Sequence, residues 1–109
     1  LRRPSRRPAP GDRAQAMKLL WHPLAIADRE CIMDFIARDK PSAALALDEN
    51  FESHASRIEA NPYLYRRGRV PGTREAVVHP NYVMVYRVHG ETITIFRVLH
   101  AAQRWPSAE

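Results

Sequence analysis

The hydrophobic pattern of the chain changes its period at Asn61-Pro62, and no other feature limits its possible folds as much. Before this point, apolar residues recur with the 3.6-residue spacing of a helix. After it, they alternate with the two-residue spacing of a strand. A helical first part followed by an extended second part predicts an α+β fold, in which an antiparallel sheet packs on an N-terminal helical hairpin.

Two helices are predicted in the first part, and each opens with a proline, which suits a first helical turn. After Pro23, an apolar stripe with Ile32 and Ile36 beside it should be buried, and it consists of Leu24, Ala27, Cys31 and Phe35. The charged residues of this helix should face away from the core: Asp28, Arg29, Asp34 and Arg38. After Pro41, the apolar face consists of Ala44, Leu47, Phe51, Ala55 and Ile58. The two-residue break at Asp39-Lys40 predicts an antiparallel pair of helices.

A short strand is predicted at residues 17–22, and three or four strands are predicted after Pro62. The later ones lie at residues 66–71, 73–79, 82–88 and 91–100. The expected order is therefore β-α-α-β-β-β, with a sheet of three to four antiparallel strands.

The last two strands form a hairpin whose two-residue turn is predicted at His89-Gly90. This turn would pair Tyr86 with Ile93, and Tyr82 with Arg97. Arg97 would then stack on Tyr82 at the rim of the core, under the helices.

Charge divides the chain of 109 residues, whose formal net charge is +5, into three parts. Residues 1–16 contain 5 arginines against 1 aspartate, and we expect them to be a disordered basic leader before a single domain at residues 17–109. Residues 17–64 are acidic, whereas residues 65–109 contain 7 arginines against 3 glutamates. The single cysteine and the absence of a long apolar run favour a cytoplasmic protein without a membrane segment.

Three groups of residues are candidates for function. The first is the arginine segment RRGRVPGTRE, whose Arg66, Arg67, Arg69 and Arg74 could hold phosphates or an acidic peptide, or form a charged strand edge. The second is Arg87 with Arg97, for which Glu75 is the candidate partner in an internal ion pair.

The third group is the tail, where His100 and Arg104 could provide acid–base chemistry and a phosphate clamp. The alternative is that Trp105 packs on the sheet and His100 bonds locally. Metal-ligand spacing and a phosphate-cradling glycine loop are both absent from the sequence, so no cofactor is expected. Cys31 is expected on the buried stripe and therefore not as a nucleophile.

The segments GRVPGTREAVVHPNYVMVYRV and ITIFRVLHAAQRWP resemble the RelE/ParE superfamily of toxins from type II toxin–antitoxin modules. The resemblance covers residues 17–106, and the tail is more similar to the ParE branch. It implies a β-α-α-β-β-β fold and a cognate antitoxin that neutralises the toxin.

The resemblance also implies two possible targets. ParE-like members poison DNA gyrase and block replication, whereas RelE-like members are endoribonucleases that cut mRNA in the ribosomal A site. RelE-like tails usually contain a tyrosine and several basic residues, but here no tyrosine follows His100 and no lysine follows Lys40. We therefore predict a gyrase-binding toxin that is not an enzyme.

Two alternatives stay open. One is a metal-independent, ribosome-dependent endoribonuclease, in which His100 or, as its substitute, Tyr82 is the base and the phosphate is held by Arg74, Arg97 and Arg104. The other is an inactive homologue that acts as a co-repressor on operator DNA with its antitoxin. Residues predicted to bind the target or the antitoxin are Arg66, Arg67, Arg69, Arg74, Tyr82, Arg87 and Trp105.

Overall fold

A computed structural model describes residues 17–102, which form an α+β fold of two helices and a five-stranded sheet. The elements in chain order are β1 (Lys18–Trp21), α1 (Pro23–Ala37), α2 (Pro41–Ala60), β2 (Arg66–Arg67), β3 (Arg74–His79), β4 (Tyr82–His89) and β5 (Thr92–His100). The predicted leader and the predicted site residues Arg104 and Trp105 lie outside the described residues. Neither helix within residues 17–102 has both the length and the apolar character of a membrane span.

The sheet is mixed and has the strand order β1-β5-β4-β3-β2. Strands β2 to β5 are antiparallel neighbours as predicted, whereas β1 lies parallel to β5. Parallel neighbours need a long connection, and here α1 and α2 lie in the chain between β1 and the rest of the sheet. The first strand therefore enlarges the sheet beyond the expected three to four strands.

Helix α2 buries the face that the sequence predicts. Its five apolar residues Ala44, Leu47, Phe51, Ala55 and Ile58 are all buried. All of them except Ala44 form one core with residues of β4 and β5, which are Met84, Tyr86, Ile93, Ile95 and Val98. The core therefore lies between the helical hairpin and one face of the sheet, as expected.

Helix α1 buries a different face from the predicted one. Leu24 is 53% exposed and Phe35 is 68% exposed, and Cys31 is exposed as well. Ala25 is buried instead, and the side chains of this helix packed against the core are Ile32, Met33 and Ile36. The predicted stripe is wrong because α1 carries apolar residues on two sides, and partners elsewhere in the fold hold Asp28 and Arg29 inward. Asp34 and Arg38 are exposed, as expected.

Arg29 illustrates this inward placement. Its guanidinium lies 4.7 Å from the centre of the Trp21 ring and pairs with Asp48 at 2.8 Å and Glu52 at 2.7 Å. Burial lowers the pKa of Arg29, but the hydrogen bonds to Asp48 and Glu52 outweigh it and raise the pKa above its ordinary value. An arginine with two carboxylate partners can therefore occupy the α1–α2 interface.

The last hairpin turns one residue later than predicted. His89 pairs with Thr92, so the turn residues are Gly90 and Glu91. Gly90 has φ +61°, the conformation that a type II′ turn needs at its first position. The predicted pairing of Tyr86 with Ile93 is therefore wrong, and Tyr86 pairs with Ile95 on the same face of the sheet.

The register of this hairpin shifts once more, at Phe96. Beyond Tyr86 and Ile95, Val85 pairs with Arg97, which leaves Phe96 without a partner across the strands. Tyr82 consequently pairs with His100, and the predicted stacking of Arg97 on Tyr82 is wrong.

Candidate functional site

A buried carboxylate, Glu75, contacts two of the four arginines in the arginine segment and leaves the other two in a different environment. Glu75 of β3 is only 2% exposed, and it accepts hydrogen bonds from Arg66 Nη2 at 3.3 Å and from the Arg69 backbone N–H at 3.0 Å. Arg69 Nε also lies 3.3 Å from the carboxylate. Glu75 therefore pairs with Arg66 and Arg69, and the predicted pairing of Glu75 with Arg87 or Arg97 is wrong.

A tight turn gives the segment its shape. The Thr73 backbone N–H donates to the Val70 carbonyl at 3.1 Å, and Gly72 between them has φ +85°. These values match a type II turn with Pro71 in its second position. Gly68 passes so close to this turn that an added Cβ would lie 2.4 Å from Thr73 Oγ1.

The remaining arginines of the segment line a groove, called the basic groove here. Its volume is about 400 Å³, and it is lined by Tyr63, Arg67, Gly68, Pro71, Gly72, Thr73, Arg74 and Val88. Arg74 Nη1 donates to the Tyr65 carbonyl at 2.8 Å, and its guanidinium lies 5.0 Å from the centre of the Tyr63 ring. The Arg87 guanidinium lies close to Gly72, where an added Cβ would be 3.8 Å from Arg87 Nε, and it lies 5.4 Å from the centre of the Phe96 ring. Fixed positive charge thus surrounds the turn.

An aromatic cluster occupies the opposite end of the sheet. The Tyr82 ring lies 5.7 Å from the His79 ring and 5.4 Å from the His100 ring. His79 Nδ1 accepts the Asn81 backbone N–H at 3.0 Å, and His100 Nδ1 accepts the Ala102 backbone N–H at 3.1 Å. Both imidazoles are thereby oriented by their own backbone.

Two depressions meet at Tyr82. One, of about 300 Å³, is lined by Asp28, Cys31, Ile32, Phe35, Tyr82, Val98 and His100. The other, of about 430 Å³, is lined by Ile36, Ala43, Ala46, Leu47, Asn50, His79, Asn81 and Tyr82. Together they form an open, largely apolar surface, called the Tyr82 surface here.

Arg97 is held by a carboxylate of α1. Asp28 accepts from Arg97 Nε at 2.7 Å, from Arg97 Nη2 at 3.0 Å and from the Val98 backbone N–H at 2.9 Å. The hydrogen bond to Asp28 raises the pKa of Arg97 above its ordinary value. Strand β1 ends at Trp21, which pairs with Ile95, so β1 does not reach Val98 of β5. Asp28 accepts the Val98 backbone N–H in its place.

The described members of the predicted catalytic set are separated along the sheet. Arg74 pairs with Tyr86, whereas His100 pairs with Tyr82, four residues away on β4. At about 3.3 Å per residue this separation is about 13 Å. Arg74 therefore lies in the basic groove and His100 at the Tyr82 surface, while Arg97 binds Asp28. Within residues 17–102, no three side chains of His, Cys, Asp or Glu are placed to hold a metal ion.

Three residues of these surfaces are absent from the sequence-based prediction. Tyr63 contributes its ring to the basic groove, Asp28 fixes Arg97, and His79 flanks Tyr82. Only Tyr63 carries a signal in the sequence, since it lies in the loop after Asn61-Pro62, three residues before the arginine segment.

Comparisons with known proteins agree with this fold. Residues 19–105 match the family model described as the ParE toxin of the type II toxin–antitoxin system parDE. Toxin RelE2 of Caulobacter vibrioides is 33% identical over 88 residues, which cover 79% of this chain and 97% of that protein.

Two solved structures are similar as well. The chromosomal ParDE system from P. aeruginosa matches with a TM-score of 0.70 and 27% identity, over 79% of this chain and 97% of that one. The YoeB/ParE toxin from Agrobacterium tumefaciens matches with a TM-score of 0.57 and 17% identity, over 77% and 98% of the two chains, which is a likeness of fold.

Proposed function

The chain belongs to the ParE toxin family of type II toxin–antitoxin systems, and from this we propose that it inhibits DNA gyrase and thereby blocks replication in the cytoplasm. Membership of the family implies a cognate antitoxin as its partner.

The separation of Arg74 from His100 is the observation that carries this proposal. Cleavage of RNA by its own 2′-hydroxyl needs a base near the nucleophile and cations on the same phosphate. The backbone positions of the two residues lie about 13 Å apart along β4. The Arg74 guanidinium is held by the Tyr65 carbonyl and the Tyr63 ring in the basic groove, whereas His100 lines the Tyr82 surface. Arg97, the cation nearest in sequence to His100, already has a bidentate contact with Asp28. This arrangement supports a toxin that binds its target rather than one that cuts RNA.

One observation favours the endoribonuclease alternative. Two imidazoles flank the Tyr82 hydroxyphenyl ring, and imidazoles are the side chains that most often move protons near neutral pH. If a phosphate were bound there, His79 and His100 would be the candidate base and acid. The proposal and this alternative predict different products in the cell.

Induction of the toxin in growing bacteria separates the two. Gyrase poisoning should give DNA breaks, filamentous cells and an SOS response while translation continues in the first minutes. An immediate loss of translation with cleaved transcripts would contradict the proposal. Normal growth would instead indicate a co-repressor without toxicity.

The Tyr82 surface is the protein-binding surface that we propose. Aromatic residues exposed beside apolar depressions contribute most of the energy in many protein interfaces. Phe35 is 68% exposed at the edge of this surface, and Leu24 lies exposed on the same helix. An antitoxin that covers these side chains would block access to the target.

Replacement of Phe35 by alanine tests this assignment. Since Phe35 is mostly exposed, we expect the variant to fold normally but to bind the antitoxin at least tenfold more weakly, a typical loss for an aromatic anchor. The control is Leu64→Ala, which removes a side chain of similar exposure (55%) near the other end of the sheet. Equal affinities of the two variants in calorimetric titrations would refute the assignment.

A further inference from the structure

We propose that the basic groove binds single-stranded DNA, with a phosphate between Arg67 and Arg74 and a base stacked on Tyr63. The inference concerns the groove alone, and it stands whether or not gyrase is the target.

Uncompensated charge is the first reason. Glu75 pairs with Arg66 and Arg69, but within residues 17–102 no carboxylate lies within ion-pair distance of Arg67 or Arg74. Arg67 is exposed, and Arg74 spends one Nη1 donor on the Tyr65 carbonyl. Two guanidinium groups on one groove therefore keep donors that suit the oxygens of a phosphate.

The Tyr63 ring is the second reason, and it favours a nucleic acid over an acidic peptide. This side chain is 63% exposed, although the Arg74 guanidinium covers part of it at 5.0 Å. A carboxylate ligand would use the arginines and leave the ring in water. An unpaired base uses both, because it stacks on an aromatic ring while its phosphate meets the cations.

The third reason is that the groove is formed before any ligand arrives. The turn at Pro71-Gly72, the close approach of Gly68 and the buried Glu75 carboxylate all fix its walls. A volume of about 400 Å³ lies in the usual range for ligand pockets. A preformed site loses little conformational entropy on binding.

The lining favours DNA over RNA. The hydroxyl of Thr73 donates to the Val70 carbonyl at 2.7 Å, so it is already engaged. The other lining residues include no amide or carboxylate side chain, and the only other side-chain hydroxyl among them is that of Tyr63, whose ring is assigned to the base. The groove thus has no amide or carboxylate side chain dedicated to a ribose hydroxyl, and we assign it to DNA.

Fluorescence anisotropy of a labelled 12-mer of deoxythymidylate, titrated with the purified toxin, tests the proposal. Arg67→Ala should weaken binding several-fold and lower the slope of log K against log salt by about 1. Tyr63→Ala should weaken it by about tenfold, whereas Tyr63→Phe should bind like the parent because it keeps the ring. Arg38→Ala, which removes an exposed arginine at the end of α1, should have no effect.

Other results would overturn the proposal. Equal losses in Arg67→Ala and Arg38→Ala would mean that the oligonucleotide binds by net charge alone. Tighter binding of a duplex of the same length would contradict the proposed stacking of an unpaired base on Tyr63. Tighter binding of a 12-mer of uridylate would make RNA the ligand. Failure of the DNA strand to bind while an oligoglutamate peptide binds would assign the groove to an acidic peptide.

Discussion

The contact between Asp28 and Arg97 offers a sharp test of how the fold is held together. The Asp28 carboxylate receives two hydrogen bonds from Arg97 and one from the Val98 backbone N–H, and it thereby joins α1 to the edge of β5. Both side chains are partly shielded, with 24% of Arg97 and 18% of Asp28 exposed.

Replacement of Asp28 by alanine removes all three hydrogen bonds and leaves a partly buried guanidinium without this carboxylate. A hydrogen bond to a charged group contributes about 1.5–3 kcal/mol. Because both side chains are partly exposed, water replaces part of the lost contact with Arg97, so the three bonds do not add in full. The main costs are the loss of one strong hydrogen bond and the Val98 N–H that is left without an acceptor. We therefore expect the free energy of unfolding to fall by about 3 kcal/mol.

Urea unfolding followed by circular dichroism measures this loss. With a slope of about 1–1.5 kcal/mol/M for a chain of this size, the midpoint should fall by about 2 M. Asp34→Ala is the control, because it removes an exposed aspartate from the same helix, and it should change stability by less than about 0.5 kcal/mol. A double-mutant cycle with Arg97→Ala should give a coupling of about 1–2 kcal/mol. Equal effects of the Asp28 and Asp34 variants, or additive effects of Asp28 and Arg97, would refute the reasoning.

Two further predictions concern stability. Gly68→Ala would place a methyl group against Thr73 and Glu75, and it should lower the free energy of unfolding by about 1–3 kcal/mol in the same assay; an unchanged midpoint would contradict the close approach. Burial raises the pKa of Tyr86 to about 12. As the pH rises, the unfolded chain loses the phenol proton first, so stability should fall by about 2 kcal/mol between pH 10 and pH 12. Tyr86→Phe should lose about 1 kcal/mol at neutral pH with its hydrogen bond to the Pro62 carbonyl, and it should lack this alkaline decline; an identical decline in the variant would assign it to other groups.

Helix α2 shows how far the sequence alone predicts this fold. It carries a single apolar stripe, and each member is buried as expected. Helix α1 carries apolar residues on two sides. Successive residues of an α-helix point about 100° apart, so a shift of the assumed stripe by one residue selects a different face. Sequence periodicity could not choose between these sides, because the choice depends on the partners of Asp28 and Arg29 in distant elements.

For the candidate surfaces too, the sequence shows which residue types cluster, whereas contacts between distant elements decide how they are arranged. The sequence shows that arginines cluster in residues 66–74, but it does not show that Glu75 contacts two of them, because that contact depends on the path of the loop. The one-residue shift of the hairpin turn follows from the positive φ of Gly90. The shift at Phe96 has no local signal, and together with the shift of the turn it places His100, rather than Arg97, opposite Tyr82.

The most direct measurement is a pair of assays on the purified toxin, one for supercoiling of relaxed plasmid by DNA gyrase and one for mRNA integrity on programmed ribosomes. A toxin that binds gyrase should inhibit supercoiling, convert plasmid to the linear form, and leave the message whole. Normal supercoiling together with cleavage of the message in the A-site codon would contradict the central claim.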